Sequence, residues 1–187
     1  MLRRPWSMAL MLLTLSACDR PAPSPEQASS DALATARSDT ASRPGGAETT
    51  PTGKVIEIRM YTVDPDDLSR QHVFKPRLVR AEIGDTIRFV PTEVSHQSSS
   101  IGAMLPDGVS GWEGAINAEV SYVLPAAGLY GFQCVPHYAA GMVGLIVVEG
   151  EGKTDNLDAA RAASHPGLGA PQFSAIFAEA DERRMFD

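Results

Sequence analysis

One short segment, Tyr130 to Met142, constrains this chain more than any other part of its sequence. Within it, Cys134, His137 and Met142 follow the pattern C-x2-H-x4-M and offer a thiolate, an imidazole and a thioether, three metal ligands of different hardness. The runs on both sides have the apolar patterns of β-strands. A chain that presents these side chains together therefore needs a rigid β frame that holds both ends of the segment.

The fourth ligand of such a site comes from outside this segment. His96, which follows a predicted strand ending near Pro91, is the candidate. Two imidazoles, one thiolate and a weakly bound thioether are the combination typical of a one-electron copper site, because thiolate and thioether suit Cu(I) and imidazole suits both oxidation states. We therefore predict one copper ion per chain, held by His96, Cys134, His137 and Met142.

Each of these residues also has an ordinary interpretation. A lone Cys is commonly a buried structural thiol, and the histidines and Met142 could be plain core or surface residues. A structural zinc site would take four Cys or His ligands, and a two-copper thiolate centre would need a second Cys in the loop. A nucleophilic Cys134 with His137 as its base would lack a third, orienting residue. The spacing of the whole set favours copper.

The chain begins with the layout of an export signal. In residues 1–17, two arginines precede a short apolar run and then small residues. The run is too short to span a bilayer, which takes about 20 residues. The tetrapeptide ending at Cys18 resembles the bacterial lipobox, so we expect a lipid on Cys18 that anchors the protein to a membrane. The alternative is an ordinary signal peptide with an incidental Cys18. Asp19 resembles an inner-membrane retention signal, and the expected location is the periplasm.

Residues 18–53 differ in composition from the rest of the chain. They are rich in Pro, Ala, Ser, Thr and Gly and nearly lack bulky apolar residues, so they are predicted to be a disordered tether.

Residues 54–187 are enough for one domain, expected to be monomeric. They carry 11 basic and 18 acidic residues, which accounts for the whole net charge of −7. No Lys or Arg occurs between Arg88 and Lys153, which excludes nucleic acid as a partner because phosphate binding needs a basic face.

Short alternating runs separated by Gly, Pro and Asp predict a β-sandwich or barrel up to about residue 150. The last run is apolar on both faces, so we expect it at the centre of a sheet. Beyond it, a helical period predicts helices at about 155–165 and 171–185. In the second helix an apolar stripe predicts packing on an outer face of the sandwich; it comprises Phe173, Ile176, Phe177 and Ala180. The predicted strands are 54–60, 72–74, 78–81, 86–90, 119–124, 128–134 and 142–149, with 64–71 rich in turns.

Several short motifs in the sequence are typical of one protein family. They are Val-Phe-x-Pro at 73–76, Gly-Asp-Thr at 84–86, Met-x-Pro-Asp-Gly at 104–108, and Cys-x-Pro-His-Tyr leading to Gly-Met-Val at 134–143. From about Val73 to Asp187 the chain resembles the pseudoazurins, blue-copper electron carriers of the cupredoxin superfamily. The resemblance implies a mostly β, Greek-key sandwich with two C-terminal α-helices, and a type 1 copper on the four residues named above. It also implies that the His137 ring emerges through an apolar patch of Pro136, Ala139, Ala140 and Met104.

Departures from the family pattern affect the surroundings of the site. Gln97 replaces the family's usual Asn and Val135 its common Thr, so the resemblance does not carry over the side-chain bond that links those two loops in the family. His72 stands where the family tends to have a Met near the ligands, and it can stack on a ligand ring, act as a pH-sensitive neighbour or simply be exposed. His165 is interpreted as a helix C-cap. Neutral or acidic residues replace lysines around the apolar patch; they include Glu93, Asp107 and Glu113.

These observations predict a periplasmic shuttle that moves one electron between respiratory partners through the Cu(I)/Cu(II) couple. A cytochrome, a copper reductase or an oxidase is the expected kind of partner, and the acidic surface weakens or reverses attraction to an acidic one. The alternative is a lipoprotein that carries or senses copper without moving electrons. An enzyme is not expected, because substrate chemistry needs an open coordination position or a second metal.

Overall fold

Two four-stranded sheets form the body of the protein, and the computed structural model describes residues 50–187. The first sheet has the strand order β2-β1-β4-β6 and the second has β3-β8-β7-β5. The predicted signal peptide, Cys18 and most of the predicted tether lie outside the described residues. The strands are β1 Val55–Asp64, β2 Asp67–Lys75, β3 Leu78–Glu82, β4 Thr86–Pro91, β5 Ser99–Ser100, β6 Val120–Val123, β7 Gly128–Gln133 and β8 Val143–Glu149.

The main core lies between the two sheets and is built from the inward positions of their alternating strands. Aromatic rings dominate the part of this core below the candidate centre. Phe132 of β7 packs edge-on against Phe74 and Phe89 at centroid distances of 4.8 and 5.1 Å, and Phe89 stacks on Trp112 at 5.2 Å. Large rings in such contacts resist displacement because protein interiors are close-packed. The predicted sandwich is therefore confirmed.

Strand β8 lies between β3 and β7, which confirms its predicted central position. Both of its faces are apolar because each one covers a different core. Ile146 and Val148 belong to the core between the sheets. Leu145 and Val147 belong to a second cluster, on the outer face of the sheet. That second cluster needs a cover, and the C-terminal helices supply it.

The helices are α1 Leu157–Ala162 and α2 Gly169–Glu182. All four residues of the predicted stripe in α2 are buried in the second cluster, which confirms its packing on the outer face. Helix α2 begins before Pro171, and α1 is shorter than predicted. Asn156 precedes α1, but its side chain exchanges two hydrogen bonds with the backbone of Leu129 in β7, at 2.9 and 3.0 Å. Among the described residues, no helix has the length and apolar character that crossing a bilayer requires.

The hairpin of β1 and β2 is longer than the sequence predicted. Residues 64–71, interpreted as rich in turns, supply most of β2, which pairs with β1 from Asp67 onward. The prediction was wrong because β2 is an edge strand whose first half is exposed on both faces, so it shows no apolar alternation. Lys75 of β2 forms ion pairs with Asp64 and Asp66 beside the turn. The hairpin therefore continues past His72 to a turn between Asp64 and Asp67.

Candidate metal centre

Three predicted ligands meet at one end of the sandwich. The donor atoms of His96, Cys134 and His137 all lie within 4.8 Å of one another. The Cys134 sulfur is 3.5 Å from Nδ1 of His137 and 4.0 Å from Nδ1 of His96. His96 and Cys134 have no solvent exposure, and His137 is half-buried. The arrangement places two imidazole nitrogens and one sulfur around a common point.

Backbone hydrogen bonds close the ligand loop on itself. The N–H of His137 donates to the carbonyl of Cys134 at 3.0 Å, and the N–H of Met142 donates to the carbonyl of His137 at 3.1 Å. The N–H of Cys134 donates back to the carbonyl of Met142 at 3.0 Å. Met142 is fully buried in the same core cluster as Cys134. Three of the four predicted ligands therefore belong to one tightly bonded turn between β7 and β8.

Hydrogen bonds with Asn117 fix the backbone around His96, and a contact with Thr62 fixes its ring. Its carbonyl accepts a hydrogen bond from the N–H of Asn117 at 2.8 Å, and the Asn117 side chain accepts one from the N–H of Ser95 at 2.5 Å. Nε2 of the ring lies 3.0 Å from the hydroxyl of Thr62. An Nε2–H that donates to this oxygen leaves Nδ1 free as the acceptor that faces Cys134. Sequence reasoning missed Thr62, which has no distinguishing pattern within β1.

The protonation of the centre suits a metal site. Burial lowers the pKa of His96, and the neighbouring His137 lowers it further. Burial also lowers the pKa of His137, with a contribution from His72. Both rings are thus kept neutral, which is the form that binds metals. Burial raises the pKa of the Cys134 thiol, so metal binding releases the thiol proton.

Comparison with known proteins agrees with this geometry. A family model for copper binding proteins of the plastocyanin/azurin family matches residues 62–149. Pseudoazurin from Paracoccus pantotrophus is 43% identical over 107 residues, which cover 57% of this chain and 72% of that protein. Pseudoazurin from Methylorubrum extorquens is 41% identical over 124 residues, which cover 66% of this chain and 80% of that protein. This chain belongs to the pseudoazurin family.

The solved fold of the pseudoazurins also matches. The crystal structure of pseudoazurin from Methylobacterium extorquens AM1 aligns with a TM-score of 0.61 at 36% identity, over 67% of this chain and 98% of that one. This confirms the mostly β cupredoxin fold with two sheets and two C-terminal helices. A buried thiol between two neutral imidazoles fits copper and its softer oxidation state. The cofactor of this protein is therefore copper.

The side chain of Gln97 forms hydrogen bonds with residues outside the ligand loop. Its amide donates to the hydroxyl of Ser99 at 2.9 Å and to the carbonyl of Gly114 at 3.0 Å. Its backbone N–H points to the Cys134 sulfur at 3.5 Å. A hydrogen bond to the sulfur stabilises the thiolate and is one of the factors that tune a copper site. The connection between the two ligand loops is therefore made by the backbone of Gln97.

His165 does not cap a helix, contrary to the sequence interpretation. Its Nδ1 lies 2.6 Å from the hydroxyl of Tyr138 in the ligand loop, and its ring stacks on Phe173 of α2 at 4.2 Å. Helix α1 ends before it, with Ala163 at the C-cap. Burial lowers the pKa of His165, and a neutral ring with its proton on Nε2 can accept a hydrogen bond from the Tyr138 hydroxyl at Nδ1. His165 thus ties the ligand loop to the helices.

The exposed residues of the ligand loop beside His137 are uncharged. Pro136, Ala139 and Ala140 are exposed, as expected for the apolar patch, but Met104 is fully buried. Met104 lies against Gly131, where even a Cβ atom would come within 2.4 Å of its sulfur. The side chain therefore fills the core because a glycine on β7 leaves room for it. The patch consists of the three exposed residues.

Proposed function

We propose that this protein is a periplasmic one-electron carrier with a single type 1 copper held by His96, Cys134, His137 and Met142. The observation that carries the proposal is the convergence of two buried or half-buried imidazoles and one buried thiol within 4.8 Å. Membership of a copper-binding family supports it. When bound, copper supplies the reversible Cu(I)/Cu(II) couple.

The residues of the chain hold the copper ligands in place and give electrons a route to the surface. Cys134 and Met142 are anchored where the ligand loop meets β7 and β8, and His96 is anchored by Asn117. Ligands held in this way move little when the charge of the site changes, which keeps the barrier to electron transfer low. Of the two imidazoles in the proposed ligand set, His137 is partly exposed and His96 is buried, and His137 belongs to the same loop as the exposed residues of the apolar patch. We infer that electrons enter and leave through its outer edge.

The first test is optical. Purified, copper-loaded protein is expected to show intense visible thiolate-to-copper absorption that disappears on reduction and returns on oxidation. A colourless Cu(II) form would contradict the proposal.

Delivery or sensing of copper is less well supported, because the donor atoms are buried in a closed loop. A carrier of that kind would release copper quickly and exchange electrons slowly.

Met142→Leu is expected to keep most of the visible absorption and to raise the reduction potential. The thiolate that would produce the absorption remains, whereas loss of the thioether of Met142 would make the site less favourable for the more highly charged Cu(II). Cyclic voltammetry and visible spectroscopy measure both effects. Met185→Leu is the matched control, because Met185 is also buried but belongs to the cluster under the helices. An unchanged potential in Met142→Leu would remove Met142 from the proposed ligands.

We further propose that a lipid on Cys18 anchors the protein to the periplasmic side of a membrane, with Asp19 favouring the inner membrane. Mass spectrometry of the mature N-terminus is expected to find a lipidated Cys18 as the first residue. Cys18→Ser should release the domain into the soluble fraction without affecting its colour. An unmodified mature N-terminus in the native protein would refute the anchor.

The proposed partners are redox proteins, either a cytochrome, a copper reductase or an oxidase. Glu93 and Glu113 lie on segments that border the site, and neither forms an ion pair with any residue between 50 and 187. Glu93 accepts a hydrogen bond from the N–H of Thr62 at 2.6 Å, and the backbone of Glu113 forms an isolated β-bridge with Ser99. Uncompensated carboxylates at this end disfavour an acidic partner surface.

A further inference from the structure

Two residues that face each other across the β1–β2 hairpin contact the two imidazoles of the centre. The register of the hairpin pairs the residues on either side of them, which places Thr62 opposite His72. Thr62 lies 3.0 Å from Nε2 of His96 through its hydroxyl. His72 stacks on the ring of His137. The same point of one hairpin therefore reaches both imidazoles.

The backbone of His72 departs from the conformation of a strand. Its φ is 52°, in the left-handed region, although it lies within β2. Residues other than glycine seldom adopt this conformation, and it persists where surrounding contacts hold it in place. Strain of this kind collects at functional sites. In His72 it coincides with a ring contact to a proposed copper ligand.

The contact between His72 and His137 is a face-to-face stack. The two ring centroids are 4.0 Å apart and the ring planes differ by 22°. The His96 ring lies 6.3 Å from His72 and meets it edge-on at 62°. His96 already has the Thr62 hydroxyl to fix its orientation. His137, which is partly exposed, has the flat face of His72 in the corresponding position.

Thr62 is itself fixed to the loop that carries His96. Its backbone N–H donates to Glu93 at 2.6 Å, while its hydroxyl contacts the His96 ring. Backbone and side chain of one residue thus hold two points of the same loop. The hairpin is therefore connected to the first ligand by hydrogen bonds and to the second by stacking.

We propose that Thr62 and His72 are positioning residues that orient His96 and His137 for copper. This inference rests on the proposed function, since it concerns how the two imidazoles meet the metal. The hairpin holds both rings before copper binds and limits their rotation when the charge of the site changes. Thr62 acts through a hydrogen bond to the ring nitrogen remote from the metal. His72 acts through the area and flatness of its ring.

The decisive comparison is between His72→Leu, which removes the flat ring, and His72→Phe, which keeps it. Copper-loaded His72→Leu is expected to bind Cu(II) about 3- to 10-fold more weakly, a range set by the strength of an aromatic stack. Its visible and electron paramagnetic resonance spectra should also change, because the His137 ring can rotate. His72→Phe should restore both. Gln71→Leu, at the exposed neighbouring position, is the matched control and should resemble the native protein.

Thr62 is tested with a pair of variants that differ in one group. Thr62→Val keeps the shape of the side chain and removes the hydroxyl, whereas Thr62→Ser keeps the hydroxyl. Only Thr62→Val is expected to alter the spectrum and the copper affinity. In the metal-free protein, NMR should detect close contact between the rings of His72 and His137, which tests the stack without copper.

The outcomes separate this inference from the proposed function. Native protein with intense absorption, together with a His72→Leu variant of unchanged affinity and spectrum, would overturn the role of His72 and leave the carrier intact. Native protein without such absorption would overturn both. Circular dichroism shows whether His72→Leu folds. If it does not, the His72→Phe variant decides alone: altered spectra in that variant would overturn the stacking role.

Discussion

Cys134→Ser is expected to abolish the intense visible absorption of the copper-loaded protein. The absorption arises from charge transfer between thiolate and Cu(II), and serine supplies no sulfur. The Cys134 sulfur also lies 3.5 Å from Nδ1 of His137 and 4.0 Å from Nδ1 of His96, so its loss removes the donor that both imidazoles face. Visible spectroscopy of the copper-loaded variant measures the effect, and a chelator competition should show a large fall in copper affinity.

The chain provides its own control for this substitution. Cys18→Ser changes the other cysteine in the sequence and should leave the absorption intact. The side chains of serine and cysteine are similar in size, so Cys134→Ser should remain folded by circular dichroism. A blue Cys134→Ser protein would mean that the thiol is only a core residue and that another group binds the metal.

Phe132→Ala is expected to cost about 3–5 kcal/mol of unfolding free energy in the metal-free protein. Phe132 has no solvent exposure and contacts three other aromatic rings. It also lies over Gly144 of β8, where a Cβ atom would come within 2.2 Å of the ring. The surrounding sheets cannot close the resulting cavity without moving β7, the strand that leads to Cys134. Chemical denaturation followed by circular dichroism measures the loss.

Leu68→Ala is the appropriate comparison, since Leu68 is a large apolar residue that is 78% exposed. It should change the unfolding free energy by about 0.5 kcal/mol or less. Similar effects for Phe132→Ala and Leu68→Ala would show that the aromatic cluster is not the main support of the centre. The copper-loaded Phe132→Ala protein should also have a broadened spectrum, because the end of β7 is less well fixed.

Features that depend on nearby residues could be predicted from the sequence. The ligand loop is defined by short spacings around Cys134, and the two-sided apolar character of β8 follows from residues within one strand. The stripe in α2 is equally local. The residues around His96 form no ligand pattern of their own, and the resemblance to the pseudoazurins supports its prediction as a ligand. These are patterns of period and spacing, which a sequence displays directly.

Other features depend on contacts between residues far apart in the chain. Thr62 and His96 are 34 positions apart, and nothing near Thr62 distinguishes it from any strand threonine. His165 precedes a proline at a helix end, which suggested capping, yet its partner Tyr138 lies 27 positions earlier. The first half of β2 was missed because an exposed edge strand has no buried face to produce alternation. Such partners become visible only once the sheets are assembled.

The two ligand-bearing segments are 38 positions apart in the chain. His96 lies in the loop that leads from β4 of the first sheet to β5 of the second, whereas Cys134 directly follows β7 of the second. A metal bound by both would cross-link the two segments, much as a disulfide closes a long loop. The loaded protein should consequently resist heat and proteolysis better than the empty one, and loss of its metal would loosen the end of the molecule that carries the proposed electron port.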